Sequence, residues 1–111
     1  GEVVSSYNCQ TFCKPSLYFL TVQVDVNRLK VSKTEFALAI AEEGIGINPD
    51  YRYVVSEWKW LRKSLVNIGQ SRNATRFREN TFNIFINEMY TEEDANDILM
   101  AVNKVQSVMA R

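Results

Sequence analysis

The side chains that most often do chemistry are sparse here. There is no histidine, which removes Ser-His-Asp triads, Cys-His dyads and His-ligated zinc together. The two cysteines, Cys9 and Cys13, are spaced CxxxC. Two thiols fall short of a tetrahedral zinc site, and the spacing is not the CxxC of a thioredoxin-like redox motif. They could close a small-loop disulfide only if the backbone between them turned sharply, and otherwise they read as ordinary thiols. The lysines, Lys14, Lys30, Lys33, Lys59, Lys63 and Lys104, fall on polar faces or loops. A lysine that forms an imine must instead be desolvated and held beside its cofactor.

One stretch stands apart: Asn48-Pro49-Asp50-Tyr51-Arg52-Tyr53, a polar, aromatic loop with a single proline. Asn48, Asp50, Tyr51 and Arg52 place an amide, a carboxylate, a phenol and a guanidinium close together. They read either as a solvated turn held by local Asn and Asp hydrogen bonds, or as a loop facing a substrate or a second subunit. The cations Arg62, Lys63, Arg72, Arg76 and Arg78 could touch phosphates or form a solvated face. Thirteen basic against 13 acidic residues give zero net charge, which argues against an electrostatic footprint for nucleic acid. No apolar run approaches the ~20 residues that span a bilayer, and no signal peptide opens the chain. The expectation is a cytoplasmic protein with no membrane contact, in which the sequon Asn73-Ala74-Thr75 is accidental.

Something must position these groups. With 111 residues, 46% of them apolar, the chain is one ordinary domain able to hide roughly two thirds of its unfolded surface. Residues 1–16 carry no clear period and read as a lead-in segment; residues 17–111 read as the domain. Tyr18, Leu20, Val22, Val24 and Val26 alternate with Phe19, Thr21, Gln23 and Asp25, which predicts a half-buried strand. Ser32-Lys33-Thr34-Glu35 has the spacing of a capping box. It opens a helix with Phe36 and Ile40 inward, stopped by Gly44. Ile45 and Ile47 predict a short strand that Pro49 ends. Val54, Val55, Trp58, Leu61 and Leu65 make a helical stripe. Trp58 and Trp60, two apart, cannot share a helical face, so one is expected to stay partly exposed or to meet another body.

Residues 67–71 read as a turn and 71–79 as a basic helical segment. Phe82, Ile84 and Ile86 mark a third strand. Thr91-Glu92-Glu93-Asp94 opens the last helix with carboxylates at its positive end, and Ala95, Ile98, Leu99, Val102, Gln106 and Met109 form its inner stripe. The order predicts an α+β fold, a small three-stranded, mostly antiparallel sheet with helices packed on one face.

Three segments, in order and spacing, resemble the C-terminal small domain of DegT-type sugar-nucleotide aminotransferases, which depend on pyridoxal phosphate. Tyr18-Phe19-Leu20-Thr21-Val22-Gln23-Val24-Asp25 is similar to the strand entering that domain. Phe36-Ala37-Leu38-Ala39-Ile40-Ala41-Glu42-Glu43-Gly44-Ile45-Gly46 is similar to its helix, acidic residue and Gly-Ile-Gly run. Residues 82–105 are similar to its strand, turn and terminal helix, and the resemblance covers about residues 17–110.

The resemblance implies the small domain of aminotransferase fold type I, within a longer enzyme that is homodimeric. It implies that pyridoxal phosphate is bound mainly by a large domain outside these residues, which brings the Schiff-base lysine and the aspartate on the pyridine nitrogen. No lysine here lies in a segment similar to the Schiff-base motif. This chain is therefore expected to hold no catalytic or cofactor-binding residue and to be inactive alone. A substrate-binding role for Asn48, Asp50, Tyr51 and Arg52 is implied too, since many members have His-Tyr-Pro near the sugar nucleotide at this place. Tyr51 keeps the tyrosine, aspartate replaces the histidine and the proline is lost, so the substrate class is open. A stand-alone ferredoxin-like module that binds a small ligand is the alternative. An RNA-recognition sheet stacking bases on Tyr18, Phe19 or Phe85 is a third reading, weakened by Gln23, Asp25, Asn83 and Asn87 where basic residues are wanted.

Overall fold

Two adjacent strands with unlike faces organise the molecule. In a computed structural model that describes residues 2–6, 11–64 and 69–111, the strands are β1 (Val4–Ser6), β2 (Phe19–Val24), β3 (Ile47–Asn48) and β4 (Thr81–Phe85). The helices are α1 (Lys33–Glu42), α2 (Lys59–Arg62), α3 (Arg72–Glu79) and α4 (Glu92–Met109). The sheet order is β1-β2-β4-β3, every pair antiparallel. In the central pair Val22 lies opposite Phe82 and Leu20 opposite Ile84, while Thr21 lies opposite Asn83 and Phe19 opposite Phe85. Because side chains alternate along a strand, one face is apolar and the other mixes aromatic and polar groups.

The apolar face meets α1 and α4. Phe36, Ala37 and Ile40 of α1 and Ala101, Val102 and Val105 of α4 share a core with Val22, Val24, Phe82 and Ile84, and the rings of Phe36 and Phe82 meet edge to face at 6.3 Å. Both helices begin as capping boxes. Ser32 accepts from the Glu35 N–H while the Glu35 carboxylate accepts from the Ser32 N–H, and Thr91 and Asp94 do the same. Gly44 follows α1 at φ 94°, the left-handed conformation glycine adopts without a Cβ clash.

The architecture is α+β, with several departures from expectation. The sheet has four strands, not three. β1 lies in the stretch without a period, and three residues on a sheet edge are too few to show one. It is anchored all the same: Asp25 N–H donates to the Val3 carbonyl at 2.9 Å, and Val3 N–H donates to Gln106 Oε1 at 3.1 Å. The helices do not all lie on one face. Ala74, Phe77 and Arg78 of α3 stand over Phe19, Thr21, Thr81 and Asn83 on the second face.

The expected helix around Trp58 is a 3-10 turn at Val55–Glu57 followed by the single turn of α2. Trp58 between them is extended (φ −69°, ψ 119°) and no side chain caps either turn, so nothing offsets the cost of nucleating a helix there. Leu65 lies outside the described residues. On α4 the buried stripe is rotated from the expected one. Ala101 and Val105 are inside, Ala95 is exposed and Leu99 is 58% exposed.

Hydrogen bonds from Ser32 and from Thr91 hold the Glu35 and Asp94 carboxyls below the usual carboxylate range. A group whose folded pKa is lowered adds stability above its unfolded pKa, and that stability is lost as pH falls through the folded value. The urea midpoint is therefore expected to fall as pH drops below about 4, where free carboxylates titrate. Ser32→Ala with Thr91→Ala should flatten that fall and remove about 1 kcal/mol per cap at neutral pH. An acid dependence unchanged in the double variant would show that other groups carry it.

Candidate functional site

Pro49 has no N–H to add to the sheet, so β3 stops after two residues and the chain turns across the second face. Asn48 pairs in register with Asn83, and its Oδ1 accepts from the Asp50 N–H at 3.3 Å, the local turn that Asn favours. The turn is pinned from below by Lys33, the first residue of α1, which is 7% exposed. Its ammonium donates to the carbonyls of Pro49 at 2.8 Å and Arg78 at 3.2 Å, and to Asp50 Oδ1 at 3.4 Å. Lys33 was expected on a polar face or in a loop. It is buried because the loop and the end of α3 supply enough oxygens to replace water around the charge.

Tyr51 is laid against the sheet, its ring 5.8 Å from that of Phe19 and 5.3 Å from that of Tyr53. The string of rings continues from Tyr53 to Trp58 at 6.2 Å and from Trp58 to Trp60 at 5.5 Å, the last pair stacked. At the other end Tyr18 meets Phe19 at 5.7 Å. Trp58 is half-buried and Trp60 is 65% exposed. Extended backbone at Trp58, not a helix, lets the pair stack. Of the three rings considered as base-stacking platforms, Phe19 lies against Tyr51, while Tyr18 and Phe85 stay exposed.

Of the sequence candidates, Asn48, Asp50 and Tyr51 are brought together by the turn. Arg52 is exposed; it contributes its carbonyl to the Val54 N–H at 3.1 Å, and its guanidinium meets no acceptor among the described residues. The basic set is divided. Arg78 is paired with Glu57 through both terminal nitrogens, and Thr75 Oγ1 also donates to Glu57 at 3.1 Å. The Arg78 guanidinium, with Thr75, holds the Glu57 carboxyl below its ordinary range. Arg62, Arg72 and Arg76 border a groove that Glu57 and Glu79 also line, so part of their charge is offset locally.

The residues that sequence reasoning passed over are Lys33, Asn83 and Thr21. Lys33 carried a signal: a cation at the first position of a helix opposes the dipole and needs a reason to be there. Asn83 and Thr21 carried a weaker one, polar residues facing each other across central strands. Among the described residues no group of three His, Cys, Asp or Glu side chains lies together to hold a metal ion, and no helix is long and apolar enough to cross a membrane. Cys13 is exposed, and Cys9 lies outside the described residues.

No protein-family model matches the chain, and no curated protein matches it in sequence.

Lys33→Met keeps the length of the side chain and removes the three donated bonds. It leaves two carbonyls short of a partner, at about 1–3 kcal/mol for each one kept from water. Denaturant unfolding should show a loss of about 2 kcal/mol or more, whereas Asp50→Asn, half-exposed and at the longest of the three contacts, should cost under about 1 kcal/mol. Equal losses would show that the ion pair and not the carbonyl contacts holds the turn.

Proposed function

We propose that this chain is the C-terminal small domain of a pyridoxal-phosphate-dependent aminotransferase of the DegT type, acting on a keto-sugar nucleotide or a related carbonyl compound. The three segments that resemble that family correspond to β2, to α1 with Gly44 and the approach to β3, and to β4 with α4. The observation that carries the reading is the use of the second face of the sheet. α1 and α4 fill the first face, while the turn bearing Asn48, Asp50 and Tyr51 borders the other, and a string of partly exposed rings runs out from it. A small domain that closes over a substrate presents such a surface to the body it closes on, and large aromatics are favoured where two bodies meet.

The lysines do not fit the cofactor. An imine-forming lysine must be desolvated and unengaged. Lys14, Lys30, Lys59, Lys63 and Lys104 are exposed, and the buried Lys33 spends its ammonium on three oxygens. In this reading pyridoxal phosphate belongs to a large domain, and this chain's residues shape the substrate side and help build a dimer. Asn48 and Asp50 set the turn, Tyr51 lies along the sheet, and Arg52 holds its guanidinium out for an anionic or hydroxyl-rich substrate.

A second reading, a ferredoxin-like module that binds a small ligand, is favoured by the sheet order β1-β2-β4-β3 with two long helices on one face.

Borohydride reduction of this chain with pyridoxal phosphate should trap no stoichiometric lysine adduct, while the polypeptide encoded by the whole gene should bind the cofactor and transfer an amino group. In that enzyme Tyr51→Ala and Arg52→Ala should each lower kcat/KM for the sugar nucleotide about tenfold, a loss of about 1.4 kcal/mol. A gene encoding no cofactor-binding domain would favour the second reading, and unchanged kinetics in both variants would return the loop to a plain turn.

A further inference from the structure

We propose that the cleft between the second face of the sheet and α3 binds a small, planar, uncharged ring carrying a lactam or carboxamide edge. The cleft has a volume of about 270 Å³, just under the range usual for drug-sized ligands and sufficient for one or two rings. Phe19, Tyr51, Tyr53 and Phe77 form its walls. Aromatic walls favour a flat guest, which can stack offset or edge to face against them.

The floor supplies the hydrogen-bonding edge. Thr21 and Asn83 lie opposite each other on β2 and β4, and both line the cleft. Asn83 is 4% exposed, and its Oδ1 accepts from Thr21 Oγ1 at 3.0 Å. The amide nitrogen of Asn83 carries two further N–H groups that meet no acceptor among the described residues. No side-chain nitrogen or oxygen sealed from solvent lacks a partner among those residues, so this donor opens to the cleft and is not shut inside the core. A nearly buried amide whose donors meet no acceptor among the described residues is costly to leave so. Beside it, the Thr21 oxygen keeps lone-pair capacity after donating its proton. Donor and acceptor side by side match a guest whose C=O accepts and whose N–H donates.

Charge decides against an anion. Arg78 also lines the cleft, but its guanidinium is held by Glu57 through both terminal nitrogens. A carboxylate or phosphate entering would lose water without gaining a free cation. The cleft is built by this chain's own sheet, turn and α3, so its occupancy does not depend on the aminotransferase reading.

The probes are 2-pyridone, a flat lactam; N-methyl-2-pyridone, which keeps the carbonyl and blocks the N–H; and benzene, the ring alone. Each is titrated into the 111-residue chain and followed by backbone amide chemical shifts. With 2-pyridone, saturable shifts are expected at Phe19, Thr21, Tyr51 and Asn83. N-methyl-2-pyridone should bind about tenfold more weakly, the equivalent of one hydrogen bond, and benzene more weakly still. Asn83→Ala should abolish the preference for 2-pyridone over benzene. Tyr53→Ser, at a ring 64% exposed and so safe for folding, should weaken 2-pyridone by a further test of the wall, several-fold. Benzene bound as tightly as 2-pyridone, shifts confined to residues outside the cleft, or no saturable shift at all would each overturn the proposal.

Discussion

An ammonium at the first residue of a helix stands against that helix's dipole, and one almost wholly buried must also give up its water. Lys33 bears both costs at the start of α1. What offsets them comes from elsewhere in the chain: the Pro49 carbonyl, the Arg78 carbonyl and the Asp50 carboxylate. The Arg78 carbonyl lies in the last turn of α3, where helix carbonyls lack the N–H of a following turn and the dipole favours a cation; besides the ammonium it meets only the capping Asn80 N–H among the described residues. The charge that opposes one helix therefore completes another. Through this one group, α1 is tied to the turn after β3 and to the helix that roofs the second face. Tyr51, two residues beyond Pro49, owes its place over Phe19 to that tie.

The central strands explain why such a tie is needed. β2 and β4 present Val22, Val24, Phe82 and Ile84 on one side, and α1 and α4 complete that side as a layer of close-packed side chains. The other side carries Phe19, Thr21, Asn83 and Phe85, too polar to bury as a core and too aromatic to leave entirely wet. It is partly covered by pieces that are poor secondary structure in isolation: the turn through Tyr51, Tyr53 and Val54 and the eight residues of α3, to which the short turns after Val54 are joined through Glu57. Short elements of this kind gain little from cooperativity. They are held instead by point contacts, Lys33 at one end and the pairing of Glu57 with Arg78 and Thr75 at the other.

That division also governs how much could be read from the residues alone. The first face is legible: the alternation read over residues 18–26 contains β2, which is shorter at both ends, the Ser32 box and the acidic opening after Thr91 mark both long helices, and Phe36 and Ile40 point inward as their spacing requires. Failures begin where periodicity has no room. β1 is three residues long. The inner stripe of α4 slipped because its exposed side also carries Leu99, Met100 and Val108, so the apolar arc is wider than the buried one. The segment around Trp58 has helical spacing but neither cap nor cooperativity. In the candidate site, the turn at Asn48, Asp50 and Tyr51 was legible from turn chemistry and aromatic content. Lys33 and Asn83 were not, because their partners are remote in sequence: Lys33 is 45 residues from Arg78 and Thr21 is 62 from Asn83.

The rings strung out from the second face are graded in a way that bears on both functional readings. Phe19, which has no polar atom, lies half-covered beneath Tyr51, whereas the ends of the string are Tyr18, 86% exposed, and Trp60. Tyrosine and tryptophan keep a hydrogen-bonding tip in water while offering an apolar body, so this surface can stand open and still be ready for a partner. Such rings have few rotatable bonds, and ordering them on contact costs little entropy. A plain solvated turn has no need of six rings in edge, tilted or stacked contact with their neighbours. A closing domain would use the exposed ends of the string and a ligand-binding module the cleft at its centre. Both depend on the same turn, held over the sheet by the same buried ammonium.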